Sequence, residues 1–209
     1  MSFGRLYQDA LWQTESEAEL AWLLLVSALE TAANQWRKKS GDKIARLRES
    51  KPELYEFLNK LQEPSVLTTV AEHIADSLGI TKKFVDFILN FLPDPPPLRP
   101  PVSAQFTWKT NELKKALQTI YGYRSKALHD GTPFPRPMCE VPARLDRSWP
   151  APAEKMISDA VSQRGGVWLA DDIPMQLHLF EYIARTVLLN WWKACDNKNN
   201  SANHSPTDG

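Results

Sequence analysis

The chain predicts an all-α fold, a helical bundle interrupted by long proline-rich loops, on three observations. Apolar residues recur at i, i+3, i+4 and i+7 in one segment after another, and no series of segments alternates with period two. Three helical segments, opening near Thr14, Trp108 and Pro174, are long enough to carry the core of a bundle. Most of the 16 prolines fall in two stretches, 93–101 and 132–152, that separate blocks of helical periodicity.

In chain order, Thr14-Glu15-Ser16-Glu17 has the capping-box form and opens a helix to about Lys39 that is apolar on nearly all sides at Ala21–Val26, so this helix belongs at the centre. Ser40-Gly41-Asp42 breaks it. A shorter amphipathic piece carries Ile44 and Leu47, and Lys51-Pro52-Glu53 starts another with Leu54, Phe57, Leu58 and Leu61 at helical spacing. Ser65 is the expected cap of a helix bearing Val66, Val70, Ile74 and Leu78. Gly79 stops that helix, and Thr81 is the expected cap of a successor with Phe84, Val85, Ile88 and Leu89.

The proline-rich segment 93–101 must be extended, and it reads as a stiff strap across one surface because neither half of the chain alone has enough helix to close a core. A helix from about Trp108 to His129 follows, then the irregular excursion 132–152. Glu154–Gln163 reads as a short helix ended by Arg164-Gly165-Gly166, and Val167-Trp168-Leu169 as a short extended piece. In the last helix Phe180, Ile183, Ala184, Val187, Leu188 and Trp191 form a regular core stripe, with Trp192 directed elsewhere. Residues 1–195 thus read as one domain and 196–209 as a disordered tail rich in Asn, Ser and Asp.

Composition narrows the classes. At 209 residues and 43% hydrophobic content the chain can bury a full core, and 25 basic residues against 25 acidic ones leave no global field to draw it to nucleic acid or membrane. Any such contact is local. The one basic run, Arg37, Lys38, Lys39, Lys43, Arg46, Arg48 and Lys51, reads as a solvated face or as a weak RNA-backbone contact to which Lys126 adds. Trp36 beside it reads as a helix-end core residue. Cys139 and Cys195 lie far apart and read as free thiols in a reducing cytoplasm, and no basic-then-apolar leader begins the chain. The most apolar run, Leu20 to Leu29, is flanked by Glu15, Glu17, Glu19 and Glu30 and falls short of a membrane span of roughly 20 residues.

Chemistry concentrates in Tyr121-Gly122-Tyr123-Arg124-Ser125-Lys126-Ala127-Leu128-His129-Asp130-Gly131. On the helix starting near Trp108, Leu113, Ala116, Leu117, Ile120, Ala127 and Leu128 fall in one apolar stripe with Arg124 near its middle. A guanidinium there needs a partner, either a carboxylate such as Glu30 or a phosphate. His129 projects about 140° away from Arg124 but stands in the last turn, with Asp130 and the expected left-handed residue Gly131 behind it. Cation and imidazole could both reach one phosphodiester in a groove formed with another surface.

Arg-x-x-x-x-His at the end of a bundle helix resembles the signature of HEPN domains, and the Apea-like branch in particular. Leu177-His178-Leu179-Phe180-Glu181-Tyr182-Ile183-Ala184-Arg185 before Trp191-Trp192, and Val26-Ser27-Ala28-Leu29-Glu30, are similar to that branch too. The resemblance implies a HEPN-like bundle that dimerises through the motif face, and a metal-independent endoribonuclease of the toxin–antitoxin or antiphage defence type. It implies RNA as substrate, a homodimer, and a cognate antitoxin or other regulatory protein as partner. Carried over, Arg124 clamps the scissile phosphate and His129 is the general acid/base, with Ser125, Asp130, Tyr121 and Glu30 in support. Ser125 departs from the Asn, Asp or His that usually follows the Arg.

Two other readings compete. Arg124 paired with Glu30 and His129 capping carbonyls would make a non-catalytic helical module for dimerisation or for binding RNA or protein. His129-Asp130 with His73 and Asp171 or Asp172 would suit a metal-dependent HD-type phosphohydrolase. His178 and Glu181 stand at i, i+3 but lack the second pair a di-metal bundle needs, and Glu181 with Arg185 reads as an i, i+4 ion pair. No phosphate-cradling glycine loop, zinc spacing or nucleophile elbow is present, so no cofactor or metal is expected.

Overall fold

The computed structural model describes residues 2–36, 42–74, 79–144, 146–163 and 166–202. Within them run α1 (Ser2–Gln13), α2 (Ala18–Trp36), α3 (Lys43–Ser50), α4 (Pro52–Lys60), α5 (Pro64–Ile74), α6 (Ile80–Asn90) and α7 (Thr110–His129). A two-stranded hairpin, β1 (Ala160–Gln163) and β2 (Gly166–Leu169), and the long α8 (Leu177–Ala202) complete the order.

Helix α2 is the hub. Its Ala21, Trp22, Leu25, Val26, Ala28, Leu29, Ala32 and Ala33 are all buried, and it packs on α1, α6, α7 and α8. A helix surrounded by helices must be apolar around most of its circumference, as Ala21–Val26 is. The α8 stripe is buried at Phe180, Ile183, Ala184, Val187, Leu188 and Trp191, whereas Trp192 is half exposed. Trp36 packs its ring on Phe87 of α6 and on Phe91 just past its end. A smaller cluster, Leu47, Leu58 and Ala71, closes α3, α4 and α5 on one another beside the main core.

The strap is tied down at several points. The Trp108 indole donates to the Pro93 carbonyl at 3.1 Å and the Tyr182 hydroxyl to the Asp94 carbonyl at 3.0 Å. Further along, Arg99 Nε donates to Glu154 Oε1 at 2.8 Å and Nη2 to the Phe106 carbonyl at 2.7 Å, while the Phe106 N–H donates to Glu154 Oε2 at 2.8 Å. This knot holds strap and second loop against the bundle. The loop after His129 turns into the core: Phe134 stacks on Trp22, and the Trp22 indole donates to the Met138 carbonyl at 2.9 Å.

Several expectations are corrected. Helix α1 precedes the expected first helix; Phe3, Leu6, Tyr7 and Ala10 give it a short i, i+3, i+4, i+7 stripe against α2 and α8. Thr14 therefore caps nothing, and its hydroxyl donates back to the Leu11 carbonyl in the α1–α2 turn. Ser65 lies inside α5, one residue after Pro64 takes the N-terminal position where a missing N–H is harmless. Gly79, left-handed at φ 72°, is the cap position of α6 in place of Thr81. Leu128, expected in the buried stripe of α7, is 52% exposed because the helix end projects past the core.

Glu154–Gln163 is no helix: Glu154 is pinned by Arg99, and 160–163 pairs antiparallel with 166–169. Gly166 serves a close approach, since a Cβ there would meet the Trp168 ring at 2.5 Å. Residues 196–202, expected in the tail, continue α8, which elongates at little cost once nucleated on the core. Residues 203–209, Leu78 and most of the Ser40-Gly41-Asp42 break lie outside the described residues. Asp42 itself caps α3, accepting from the Ile44 N–H at 2.9 Å.

Candidate functional site

Helix α7 ends as expected of a left-handed glycine stop. Gly131 has φ 65°, and the Thr132 N–H folds back to the Lys126 carbonyl at 3.3 Å. This leaves His129 exposed in the last turn. One and a half turns earlier Arg124 points inward, and its Nη2 meets Glu30 Oε2 on α2 at 2.7 Å, with the two side chains 18% and 16% exposed. The Tyr121 hydroxyl donates to the other oxygen, Glu30 Oε1, at 3.2 Å, and the Tyr121 ring lies 5.6 Å from the guanidinium carbon. Burial, and then the Glu30 carboxylate, push the Tyr121 phenol up to about 12, so it remains a donor. Arg124 Nε is buried with no hydrogen-bond partner.

These groups wall an open cavity of about 460 Å³ lined by Glu30, Ser50, Gly79, Ile80, Thr81, Tyr121, Arg124, Ser125 and His129. Helices α2, α3, α6 and α7 all contribute. Gly79 provides no capping side chain, so the positive end of the α6 dipole lies at the cavity wall beside the Arg124 charge. The arrangement can receive an anion, with a phenol and a carboxylate fixing the guanidinium and an imidazole at the rim.

Of the residues singled out from sequence, Glu30, Tyr121, Arg124, Ser125 and His129 are brought together here. Lys126 and Asp130 are exposed and do not line the cavity. Arg37, Lys38 and Lys39 lie outside the described residues. Ser50 and the Gly79–Thr81 turn also line the cavity, and no sequence signal marks them as site residues. Gly79 and Thr81 stood out only as helix punctuation, and nothing local marks Ser50. The loop 132–152 contributes no lining residue, because its anchor is Phe134 against Trp22.

The HD-type constellation does not assemble. His73 sits on α5 with Nδ1 2.8 Å from the Thr69 carbonyl, Asp171 pairs with Lys115 at 3.9 Å, and Asp172 Oδ2 accepts from the Leu169 N–H at 2.8 Å. Among the described residues no group of three or more His, Cys, Asp or Glu is placed to hold a metal ion. Glu181 pairs with Arg185 at 3.4 Å and accepts from the Tyr7 hydroxyl at 2.6 Å. Cys139 and Cys195 are free and half-buried. Among the described residues no helix is long and apolar enough to cross a membrane.

Comparison with protein-family models, with curated proteins and with solved structures found no match.

Proposed function

We propose that this protein is a metal-independent endoribonuclease of the HEPN kind, working as a homodimer in which the Arg124 and His129 of two copies line one composite groove. The observation that carries the reading is that Arg124, Ser125 and His129, though spread around α7, wall the same open cavity. RNA suits this pair because it brings its own nucleophile. Its 2′-hydroxyl attacks the adjacent phosphorus, the 5′-oxygen leaves, and the products are a 2′,3′-cyclic phosphate and a 5′-hydroxyl. His129 takes or returns the proton, and Arg124, oriented by Glu30 and Tyr121, faces the charge that builds on the phosphoryl oxygens. A role in toxin–antitoxin or antiphage defence, with a cognate antitoxin or other regulatory protein as partner, belongs to the same reading.

A second reading is favoured by a specific observation. Arg124 already has a carboxylate partner at 2.7 Å, which suits a purely structural cation in a helical module that dimerises or binds RNA or protein without cutting it. Incubating mixed-sequence RNA with the protein in excess EDTA separates the two. The ribonuclease reading expects cleavage that His129→Ala abolishes while leaving the fold intact. RNA that is bound but never cut would support the module instead.

A further inference from the structure

The chain balances 25 basic residues against 25 acidic ones, yet one groove on it carries a single sign of charge. This open groove of about 680 Å³ is walled by the end of α1, the α1–α2 turn, the loop at 139–142 and the start of α8. Its apolar lining is Leu11, Ala18, Cys139, Val141, Pro142 and Leu177, and its charged lining is Glu15, Glu140 and Glu181. Among the described residues no Lys or Arg lines it. Burial holds the His178 imidazole, also in the lining, below its ordinary pKa, so that ring adds no positive charge at neutral pH.

The apolar part of the groove is open to water. Val141 is 94% exposed and Leu11 42%, and Trp12, next to Leu11 in the chain, is 82% exposed. Large apolar side chains gathered at one depression with a polar rim mark a surface that another molecule covers. The acids decide what kind of molecule. Glu181 is held by the Tyr7 hydroxyl and Arg185, which leaves Glu15 and Glu140 as the exposed carboxylates that an incoming group meets. Among the described residues Glu15 has no ion-pair partner. The Cys139 thiol feels the same field: burial and then Glu19 push it up to about 12, with Arg136 opposing and Glu140 adding. A groove of this sign repels phosphate groups and attracts ammonium and guanidinium groups, so it suits neither RNA nor an anionic lipid surface.

We propose that this groove docks a short segment of a partner protein that carries Lys or Arg beside apolar side chains. The apolar side chains cover Leu11, Val141 and Leu177, and a cation faces Glu15. Apolar contact provides the affinity, while opposite charge selects the partner and speeds the encounter. The groove shares no residue with the Arg124 cavity, so the proposal stands whether or not the chain cuts RNA.

The probe is the blocked hexapeptide KLKLKL, compared with KSKSKS, which lacks the apolar side chains, and ELELEL, which reverses the charge. Each is titrated into the full chain at physiological salt and followed by ¹H–¹⁵N correlation spectra. KLKLKL should bind saturably with shifts at Leu11, Glu15 and Val141, and the other two should bind at least about tenfold more weakly. Glu15→Lys and Val141→Asp, both at exposed positions, should each weaken KLKLKL about tenfold in a folded protein. Glu56→Lys, at an exposed position on α4, should leave its affinity unchanged. Absence of saturable KLKLKL binding, equal binding of KSKSKS, or equal weakening by Glu56→Lys would each overturn the proposal. So would tryptamine binding as tightly as the peptide, which would make the groove a small-molecule site. Self-association of the chain that Val141→Asp takes apart would make a second copy the occupant, and would overturn it as well.

Discussion

Replacing Arg124 by Met removes a guanidinium and leaves the Glu30 carboxylate, 16% exposed, with the Tyr121 hydroxyl donating to it at 3.2 Å. Breaking a fully buried ion pair from one side costs about 3–5 kcal/mol, because a charge is left without its counterion. Here both side chains border an open cavity, so water reaches the stranded group and the lower end applies, about 3 kcal/mol. For a chain of this size that is a fall of about 6–12 °C in Tm. Glu30→Leu alone should cost about 2 kcal/mol, as the freed guanidinium can extend into the cavity. The double variant should recover at least about 2 kcal/mol of the summed loss, since a pair replaced by apolar groups strands no charge. Urea unfolding of the four proteins measures this coupling directly. Additive losses, or wild-type stability in Arg124→Met, would refute the view that Glu30 holds this cation.

Three further outcomes follow from the geometry. Glu154→Leu strands the Arg99 guanidinium and the Phe106 N–H at a site where the Glu154 side chain is 3% exposed. It should cost about 3–5 kcal/mol in urea unfolding and open segment 93–101 to limited proteolysis, and an unchanged digest would mean the strap is held elsewhere. Burial depresses the His178 pKa below its ordinary 6.5, so the unfolded chain binds this proton more readily than the folded one. Stability should therefore decline as pH falls from 6.5 toward the folded pKa, and His178→Leu should flatten that decline; an unaltered pH profile would contradict it. Burial, followed by the Glu19 carboxylate, pushes the Cys139 thiol up to about 12, from 9.0. At pH 8 its alkylation by iodoacetamide should run roughly a thousandfold slower in the folded protein than in urea, as read by peptide mass mapping.

The bundle was legible where periodicity was long and the neighbours were helices. The α2 run at Ala21–Val26 and the α8 stripe from Phe180 to Trp191 are apolar at the spacing that burial on several sides demands. Arg124 was legible for the opposite reason: a lone cation on an apolar stripe announces a partner, and Glu30 is that partner. Short elements were harder. Helix α1 has only Phe3 and Ala10 fully buried, and its stabilisation comes from packing on α2 rather than from its own signal. The hairpin was hidden because Arg164-Gly165-Gly166 punctuates a helix end and a turn equally well, and four residues per strand are too few to display alternation. Ser50 and Gly79 join the site through tertiary packing of α3 and α6, which no local pattern encodes.

The proposed ribonuclease uses Arg124 and His129 to cleave RNA through its own 2′-hydroxyl. The most direct measurement uses an oligoribonucleotide containing one cleavage site, alongside the same oligonucleotide with a single 2′-deoxy substitution there, both incubated with the protein in excess EDTA. The expected result is cleavage of the first to a 2′,3′-cyclic phosphate end, loss of that cleavage in His129→Ala, and no cut at the deoxy position. Cleavage of the deoxy substrate, or a dependence on added divalent metal, would contradict it.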